Sequence, residues 1–225
     1  MPIFLEIILT KRKNLGYNKN RLGIGNSAFP NMARQYVIES DTENRGRGKG
    51  GSSMWKKGDY VVYGEKGICV VDGTTHLNMR GADSGKLYYV LIPVGERETK
   101  IYSPVDNEKV PLRRPMNEQE AMELIGEIPE LSELQVTQEK FREDAYKAAL
   151  RSLDCRQWAS MLKTLRRRRQ RRLGQGKKVT ATDERYFRRA EDYLYSELAM
   201  ALGKQKSEIE EFISVCIGER EEALE

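Results

Sequence analysis

The stretch Lys57-Gly58-Asp59-Tyr60-Val61-Val62-Tyr63-Gly64-Glu65-Lys66-Gly67-Ile68-Cys69-Val70-Val71 decides the fold of the first half of this chain. Two runs of β-branched and aromatic residues, 60–63 and 68–71, flank a break that contains Gly64 and Gly67. This pattern predicts a strand, a tight turn and a second strand. The two glycines supply the positive φ angles that such a turn requires.

Further strand signals follow at 87–92, 100–103 and 109–112, and the segment 76–86 reads as a polar loop. So many short strands within so few residues predict a small, strongly bent antiparallel β-barrel, too small to enclose a catalytic cavity. The run 100–103 is brief and is flanked by Glu98 and Pro104, as expected of an edge strand. Such an edge is either simply protected or able to receive a partner strand.

Composition excludes several classes of protein. The three cysteines have no paired spacing and the only histidine is His76, so we expect neither a disulfide framework nor a metal site, and a reducing cytoplasm fits. No apolar run approaches the roughly 20 residues of a membrane span. The chain lacks a GxxxxGK[ST] loop, an HExxH pair and a CxxC motif, so we expect no cofactor, no catalytic residue and no enzyme activity.

The net positive charge of the chain comes from its first 53 residues. Residues 1–53 hold nine Lys/Arg and four Asp/Glu, which accounts for the net charge of +5. Their Asn-, Gly-, Arg- and Ser-rich composition predicts a disordered leader. Alternatively, translation begins at Met54, because Lys49-Gly50-Gly51 can be encoded by a purine run that resembles a bacterial ribosome-binding site. We therefore predict a leader at 1–53, a β-domain at 54–114 and a helical domain at 115–225.

After Pro115 the hydrophobic period changes from two to 3.6, which predicts an all-α domain of about five helices. Predicted helix caps are Asn117, Thr137, Asp154, Thr180 and Ser207. Trp158, Met161, Leu162 and Leu165 form one apolar stripe, so Trp158 is predicted to be buried.

The charge of the helical part is strongly polarised. The segment 155–182 contains ten Lys/Arg and no acid, whereas 191–225 contains ten Asp/Glu against three basic residues. Favourable interaction of cations with a helix C-terminus explains two or three arginines, not six followed by two lysines. The segment therefore predicts a polyanion partner that is bound through its phosphate backbone, since no base-reading pattern is visible.

The opening motif Lys57-Gly58-Asp59-x-Val61-Val62-Tyr63, followed by Tyr88-Tyr89-Val90-Leu91 and Ile101-Tyr102-x-Pro104, resembles the polymerase-interacting domain of the CarD/CdnL family. That Tudor-like (SH3-like) barrel is shared with the transcription-repair coupling factor. The resemblance implies docking of its edge strand and adjacent loop on the β-subunit lobe of bacterial RNA polymerase. It places the contacts at His76, Leu77, Lys100, Ile101 and Tyr102.

The segment Tyr146-Lys147-Ala148-Ala149-Leu150-Arg151-Ser152-Leu153 resembles a helix of the same family, whose C-terminal domain touches duplex DNA upstream of the promoter bubble. Some members insert a tryptophan into the minor groove before that tyrosine. Here Phe141 is the nearest apolar residue, and its position in the helix pattern predicts a core residue instead. The resemblance and the basic segment together predict these DNA-binding residues: Arg142, Lys147, Arg151, Arg166, Arg167, Arg169, Arg172, Lys177, Lys178 and Arg185.

These observations favour a monomeric, non-enzymatic transcription regulator that binds RNA polymerase and promoter DNA together and modulates the stability of the open complex. The alternative is a general nucleic-acid-binding protein without a polymerase contact. Changes at Ile101 and Tyr102 discriminate the two, because only the first function depends on that edge.

Overall fold

The computed structural model describes residues 54–77, 85–96, 98–107, 110–136 and 138–222. The described residues up to Pro115 form one compact unit and those from Met116 onward form a second. We call them the sheet unit and the helical unit. The predicted leader at 1–53 and the predicted cap Thr137 lie outside the described residues.

Five described strands of the sheet unit form one antiparallel sheet in the order β4-β3-β2-β1-β5. They are β1 (Tyr60–Tyr63), β2 (Ile68–His76), β3 (Leu87–Pro93), β4 (Ile101–Pro104) and β5 (Leu112–Arg113). A 3-10 turn, Gly64–Lys66, joins β1 to β2, with positive φ angles at Gly64 (44°) and Gly67 (69°). The predicted strand, turn and strand are confirmed.

One face of this sheet carries the core. Val61, Cys69, Val71, Tyr89 and Leu91 are almost completely buried on it. They share that face because side chains paired across antiparallel strands point the same way, and Val61 pairs with Cys69 as Val71 pairs with Leu91. Burial raises the pKa of the Cys69 thiol to about 12, so this cysteine acts as a small apolar core residue.

The sheet ends at β4 on one side and at β5 on the other, with no pairing between these two strands in the described residues. The predicted class, a small Tudor-like antiparallel β-domain followed by a helical domain of five helices, is confirmed, and the sheet of the described strands is not closed. The two edge strands β4 and β5 are only four and two residues long. The predicted edge position of the 101 strand is confirmed.

The described part of the helical unit contains five α-helices: α1 (Glu118–Glu127), α2 (Arg142–Arg151), α3 (Cys155–Gly174), α4 (Ala181–Leu202) and α5 (Ile209–Glu222). Short 3-10 segments, Glu139–Phe141 and Lys206–Glu208, precede α2 and α5. None of the described helices is long and apolar enough to cross a membrane.

The helix starts follow local capping chemistry. The Asn117 side chain accepts from the Glu120 N–H, and the Glu120 carboxylate accepts from the Asn117 N–H in return. The Thr180 hydroxyl accepts from the Asp183 N–H in the same way. These caps satisfy backbone donors that a helix leaves unpaired at its start. The predicted caps at Asn117 and Thr180 are confirmed, as is that at Asp154.

The helical core is built around Trp158 and Tyr146, each 1% exposed. The Trp158 ring lies 5.5 Å from that of Tyr193, and the Tyr146 ring lies 5.5 Å from that of Tyr186. Tilted aromatic pairs at this distance add to the free energy gained by burial. The predicted burial of Trp158 is confirmed.

Two expectations about helix starts are wrong. Phe141 is 47% exposed instead of being a core residue, because α2 turns Tyr146, Ala149 and Leu150 inward. Phe141 lies at the N-cap of that helix, outside its regular period. The capping box before α5 is formed by Gln205 with Glu208, two residues before the predicted cap Ser207.

Candidate functional site

The strand β4 is one of the two edges of the sheet, and its outer side pairs with no other described strand. Its other side pairs with β3, with Ile101 opposite Leu91 and Tyr102 opposite Val90. The Val105 N–H donates to the Leu87 carbonyl at 2.9 Å, pointing toward β3. Because hydrogen bonding alternates along an antiparallel strand, the backbone groups of Tyr102 point away from the sheet.

The edge is narrow. Pro104 shares the outward orientation of Tyr102, but it has no N–H to donate. Within β4, the outward donor is therefore the N–H of Tyr102. A partner strand could pair here only over a short length, which limits unwanted association of the edge.

The side chains of β4 point to opposite faces. Ile101 packs against the sheet core, whereas Tyr102 on the opposite face is 41% exposed. Lys100, immediately before β4, lies 3.7 Å from the Asp72 carboxylate, which Lys57 also contacts at 3.1 Å. The hydrogen bond from Lys57 is the largest cause that lowers the Asp72 pKa, so this carboxylate stays ionised and faces both lysines.

His76 and Leu77 lie at the opposite end of the same strands. His76 pairs with Leu87, four residues along β3 from the partner of Ile101. At about 3.3 Å per residue, this separation is about 13 Å along the strand. The His76 Nδ1 lies 3.1 Å from the Lys86 carbonyl. The residues predicted to bind polymerase therefore form two groups along the β2–β3–β4 side of the sheet rather than one cluster.

The basic segment in α3 divides into two parts with different surroundings. The first part, Arg166, Arg167 and Arg168, faces carboxylates of the same unit. Arg166 lies 3.2 Å from Glu210, and its side chain is only 14% exposed. Arg167 contacts Glu133. These contacts give Arg166 and Arg167 a role in packing the helical unit.

Arg168 is the centre of a partly buried ionic network. Its Nε donates to Asp183 at 2.8 Å, and its guanidinium also contacts Glu139. The Asp183 side chain is 4% exposed and also receives the Tyr146 hydroxyl at 3.5 Å, with Arg142 at the same distance. The Arg168 hydrogen bonds raise the pKa of its guanidinium and lower that of Glu139. The network joins α2, α3 and α4 at one end of the unit.

A second set of contacts holds the connector after α1 against α3. Lys163 is 7% exposed and donates to the carbonyls of Pro129 and Leu131 at 2.8 and 2.7 Å. The Thr164 hydroxyl accepts from the Leu134 N–H at 2.7 Å. Burial lowers the pKa of the Lys163 amine. Counting basic residues missed this role, because a buried lysine looks the same as a surface lysine in sequence.

The second part of the basic segment lies at the end of α3 and beyond it. Arg169 is exposed and lies 4.0 Å from Glu184, near the limit of an ion pair. Arg171, Lys177 and Lys178 are exposed, and none has a carboxylate partner among the described contacts. Arg172 donates to the Lys178 carbonyl at 2.8 Å, which holds the turn after α3. This part forms an exposed basic end, which we define as 169–178.

The remaining predicted DNA-binding residues are on α2 and α4. Arg142 is only 24% exposed and belongs to the ionic network. Lys147 and Arg185 are 43% and 57% exposed and share the carboxylate of Glu143, at 3.4 and 3.0 Å. Arg151 is exposed at the end of α2.

The start of α2 also presents an exposed aromatic ring. Phe141 has the Lys140 ammonium 4.8 Å from its centroid, and the neighbouring Glu139 is bound by Arg168. The ring thus lies beside the Lys140 ammonium, on a segment that the ionic network holds in place. No group of three or more His, Cys, Asp or Glu side chains that could bind a metal occurs in the described residues.

Comparison with known families identifies both units. The model of the CarD-like/TRCF RID domain matches residues 55–116, and that of the CarD C-terminal domain matches residues 122–214. No curated protein matches the chain. The two matches together span well over half of the sequence and follow each other without overlap, so this chain belongs to the CarD/CdnL family of RNA polymerase-associated transcription regulators.

Proposed function

We propose that this regulator connects the β-subunit lobe of RNA polymerase to promoter DNA upstream of the bubble and thereby changes the stability of the open complex. The observation that carries the proposal is the presence of two separate surfaces on one chain. One is the free edge β4 with its outward Tyr102, and the other is the exposed basic end of the helical unit.

The sheet edge supports the polymerase contact. The family associates with RNA polymerase, and the outer edge of β4, which pairs with no other described strand, offers an outward N–H at Tyr102. Addition of a strand from a partner uses such main-chain groups for affinity and nearby side chains for specificity. Lys100 and Tyr102 are placed to supply that specificity, whereas Ile101 supports the strand from the core side.

The basic end supports the DNA contact. The exposed cations Arg169, Arg171, Lys177 and Lys178 carry charge that the protein does not neutralise through close ion pairs. A phosphate backbone binds such a surface and releases counterions in doing so. Lys147, Arg151 and Arg185 extend the proposed contact along α2 and α4.

The mechanism is thermodynamic linkage. A protein that touches polymerase and DNA at once favours the promoter state that permits both contacts, because the second contact is made at a high effective concentration. If the open complex is that state, its lifetime increases. We propose that the chain acts in this way as a monomer in the bacterial cytoplasm, with domains at 54–114 and 115–225.

Exchange of Tyr102 for proline or alanine tests the polymerase contact. Tyr102→Pro removes the outward N–H and leaves the β3 side of the ladder intact, whereas Tyr102→Ala removes the side chain and keeps the N–H. Strand addition predicts that Tyr102→Pro loses co-elution of the full chain with core polymerase and that Tyr102→Ala weakens it. Equal binding by wild type and Tyr102→Pro would contradict docking through this edge.

The same experiment distinguishes the proposed regulator from the alternative, a general nucleic-acid-binding protein. A general nucleic-acid-binding protein would bind duplex DNA but would not co-elute with core polymerase in the absence of DNA. Wild-type co-elution at moderate salt without DNA therefore favours the regulator, and its absence favours the alternative.

A further inference from the structure

One carboxylate at the proposed DNA surface collects several donors from two helices. The Glu143 Oε1 atom lies 3.0 Å from Arg185 Nη2, 3.1 Å from the Tyr186 hydroxyl and 3.4 Å from Lys147 Nζ. Glu143 and Lys147 are on α2, whereas Arg185 and Tyr186 are on α4. The carboxylate is 40% exposed, so it lies at the surface where a phosphate would arrive.

The two cations of this cluster differ from those of the basic end. Lys147 and Arg185 are well exposed, yet both lie within ion-pair distance of Glu143, and Lys147 lies 3.9 Å from Asp144 as well. Lys177 and Lys178 have no such carboxylate in the described contacts. In the described contacts, the structure therefore places a competing anion beside Lys147 and Arg185 and not beside Lys177 and Lys178.

We propose that Glu143 competes internally with DNA phosphate for Lys147 and Arg185 and so lowers the affinity of the helical unit for duplex DNA. This inference rests on the proposed DNA-binding function of that unit. A phosphate that approaches either cation must displace the carboxylate or accept repulsion from it, and either costs binding free energy. Weak binding by DNA alone then makes occupancy depend on the polymerase contact, which supplies the effective concentration.

The carboxylate is a permanent competitor. The hydrogen bond from Tyr186 is the largest cause that lowers the pKa of Glu143, which keeps the group ionised at neutral pH. The same hydrogen bond fixes its position between the two helices. Glutamine at this position retains an oxygen that accepts from Tyr186, so Glu143→Gln removes the charge and preserves the packing.

Fluorescence anisotropy of the full chain with a labelled promoter-length duplex tests the proposal. The matched control is Glu127→Gln, which also removes one carboxylate and releases a single arginine, Arg156, elsewhere on the helical unit. Relative to that control, Glu143→Gln should bind roughly threefold to tenfold more tightly at about 0.1 M salt, with a salt slope steeper by about one unit. When Lys147→Gln and Arg185→Gln are already present, adding Glu143→Gln should not change the affinity for the duplex.

The outcomes separate this inference from the function on which it rests. If Glu143→Gln binds like Glu127→Gln while Lys147→Gln/Arg185→Gln weakens binding, the competition is refuted and the DNA surface stands. If Lys147→Gln/Arg185→Gln and Lys177→Gln/Lys178→Gln both bind like wild type, the competition and the proposed DNA surface are refuted together. A tighter Glu143→Gln that persists without the two cations would refute competition for them.

Discussion

The two parts of the basic segment, 166–168 and 169–178, are built from the same residue types and are used differently. Arg166, Arg167 and Arg168 face carboxylates that come from distant positions in the chain. Arg171, Lys177 and Lys178 face solvent without a carboxylate partner in the described contacts. A run of like charges is therefore no measure of the charge offered to a partner, because folding neutralises part of it.

The largest effect expected from this comparison is on stability. Arg168→Met removes the partner of a carboxylate that is 4% exposed, and we expect the free energy of unfolding to fall by roughly 2–3 kcal/mol. Urea denaturation followed by circular dichroism measures it. Arg171→Met is the matched control on the same helix and should change stability by less than about 0.5 kcal/mol. Equal effects of the two variants would remove the distinction between the two parts.

The next effect is on DNA binding, and we expect it from the exposed part of the segment, where substitution should leave stability unchanged. Lys177→Gln/Lys178→Gln should reduce the slope of log affinity against log salt by about 1.8, which is about 0.9 for each lost phosphate contact. Its stability should match that of the wild type. Arg167→Gln, a single change in the paired part, should leave the slope unchanged. A reduced slope with Arg167→Gln would place the DNA on the paired part instead.

A smaller effect is expected on the pH dependence of stability. The pKa of Glu139 is lowered in the folded state, chiefly by the hydrogen bond from Arg168. A lowered folded-state pKa contributes stability that is present above the unfolded value near 4.5 and is lost as the pH falls below it. The contribution is up to about 1 kcal/mol because the pair is partly exposed.

Urea midpoints between about pH 6 and pH 3 measure this loss. Arg168→Met removes the cause of the shift, so its stability should decline less steeply over the acid range than that of the wild type. Parallel curves for the two proteins would contradict the assignment of the pKa shift to this pair.

A small effect on stability is expected at Phe141. Its ring is 47% exposed, so Phe141→Ala should change the free energy of unfolding by less than about 1 kcal/mol. If the ring enters a groove of the DNA, the variant should instead lose affinity for promoter duplex, since an inserted apolar side chain stabilises the distorted base step. Lys140→Gln is the neighbouring control. It should change only the salt dependence of DNA binding, whereas Phe141→Ala should lose affinity at every salt concentration.

The local elements could be predicted well from the sequence. The turn with Gly64 and Gly67 and the caps Asn117 and Thr180 were predictable, because each depends on residues within a few positions of one another. The core stripe of α3 was predictable for the same reason, since helical periodicity alone places Trp158 inward.

The candidate site was less predictable. The length of an apolar run does not determine whether a sheet closes, and among the described strands β4 and β5 do not pair with each other. In the sequence, Phe141 continues the apolar pattern of the following helix, but in the structure α2 begins only at Arg142. Asp183 lies in the first turn of α4 after the cap Thr180, but its carboxylate is bound by Arg168, fifteen positions earlier.

By itself, the sequence determined the family, the order of a β-domain and a helical domain, the edge position of the 101 strand and the presence of a strongly basic segment. Each of these depends on local pattern or on composition. The tertiary structure alone decided which cations are paired. Glu133 reaches Arg167 only when the connector after α1 packs against α3, and Glu139 and Asp183 reach Arg168 only when the start of α2 and α4 pack against α3. Charge is a property of the residue, but its availability to a partner depends on the residues that folding brings beside it.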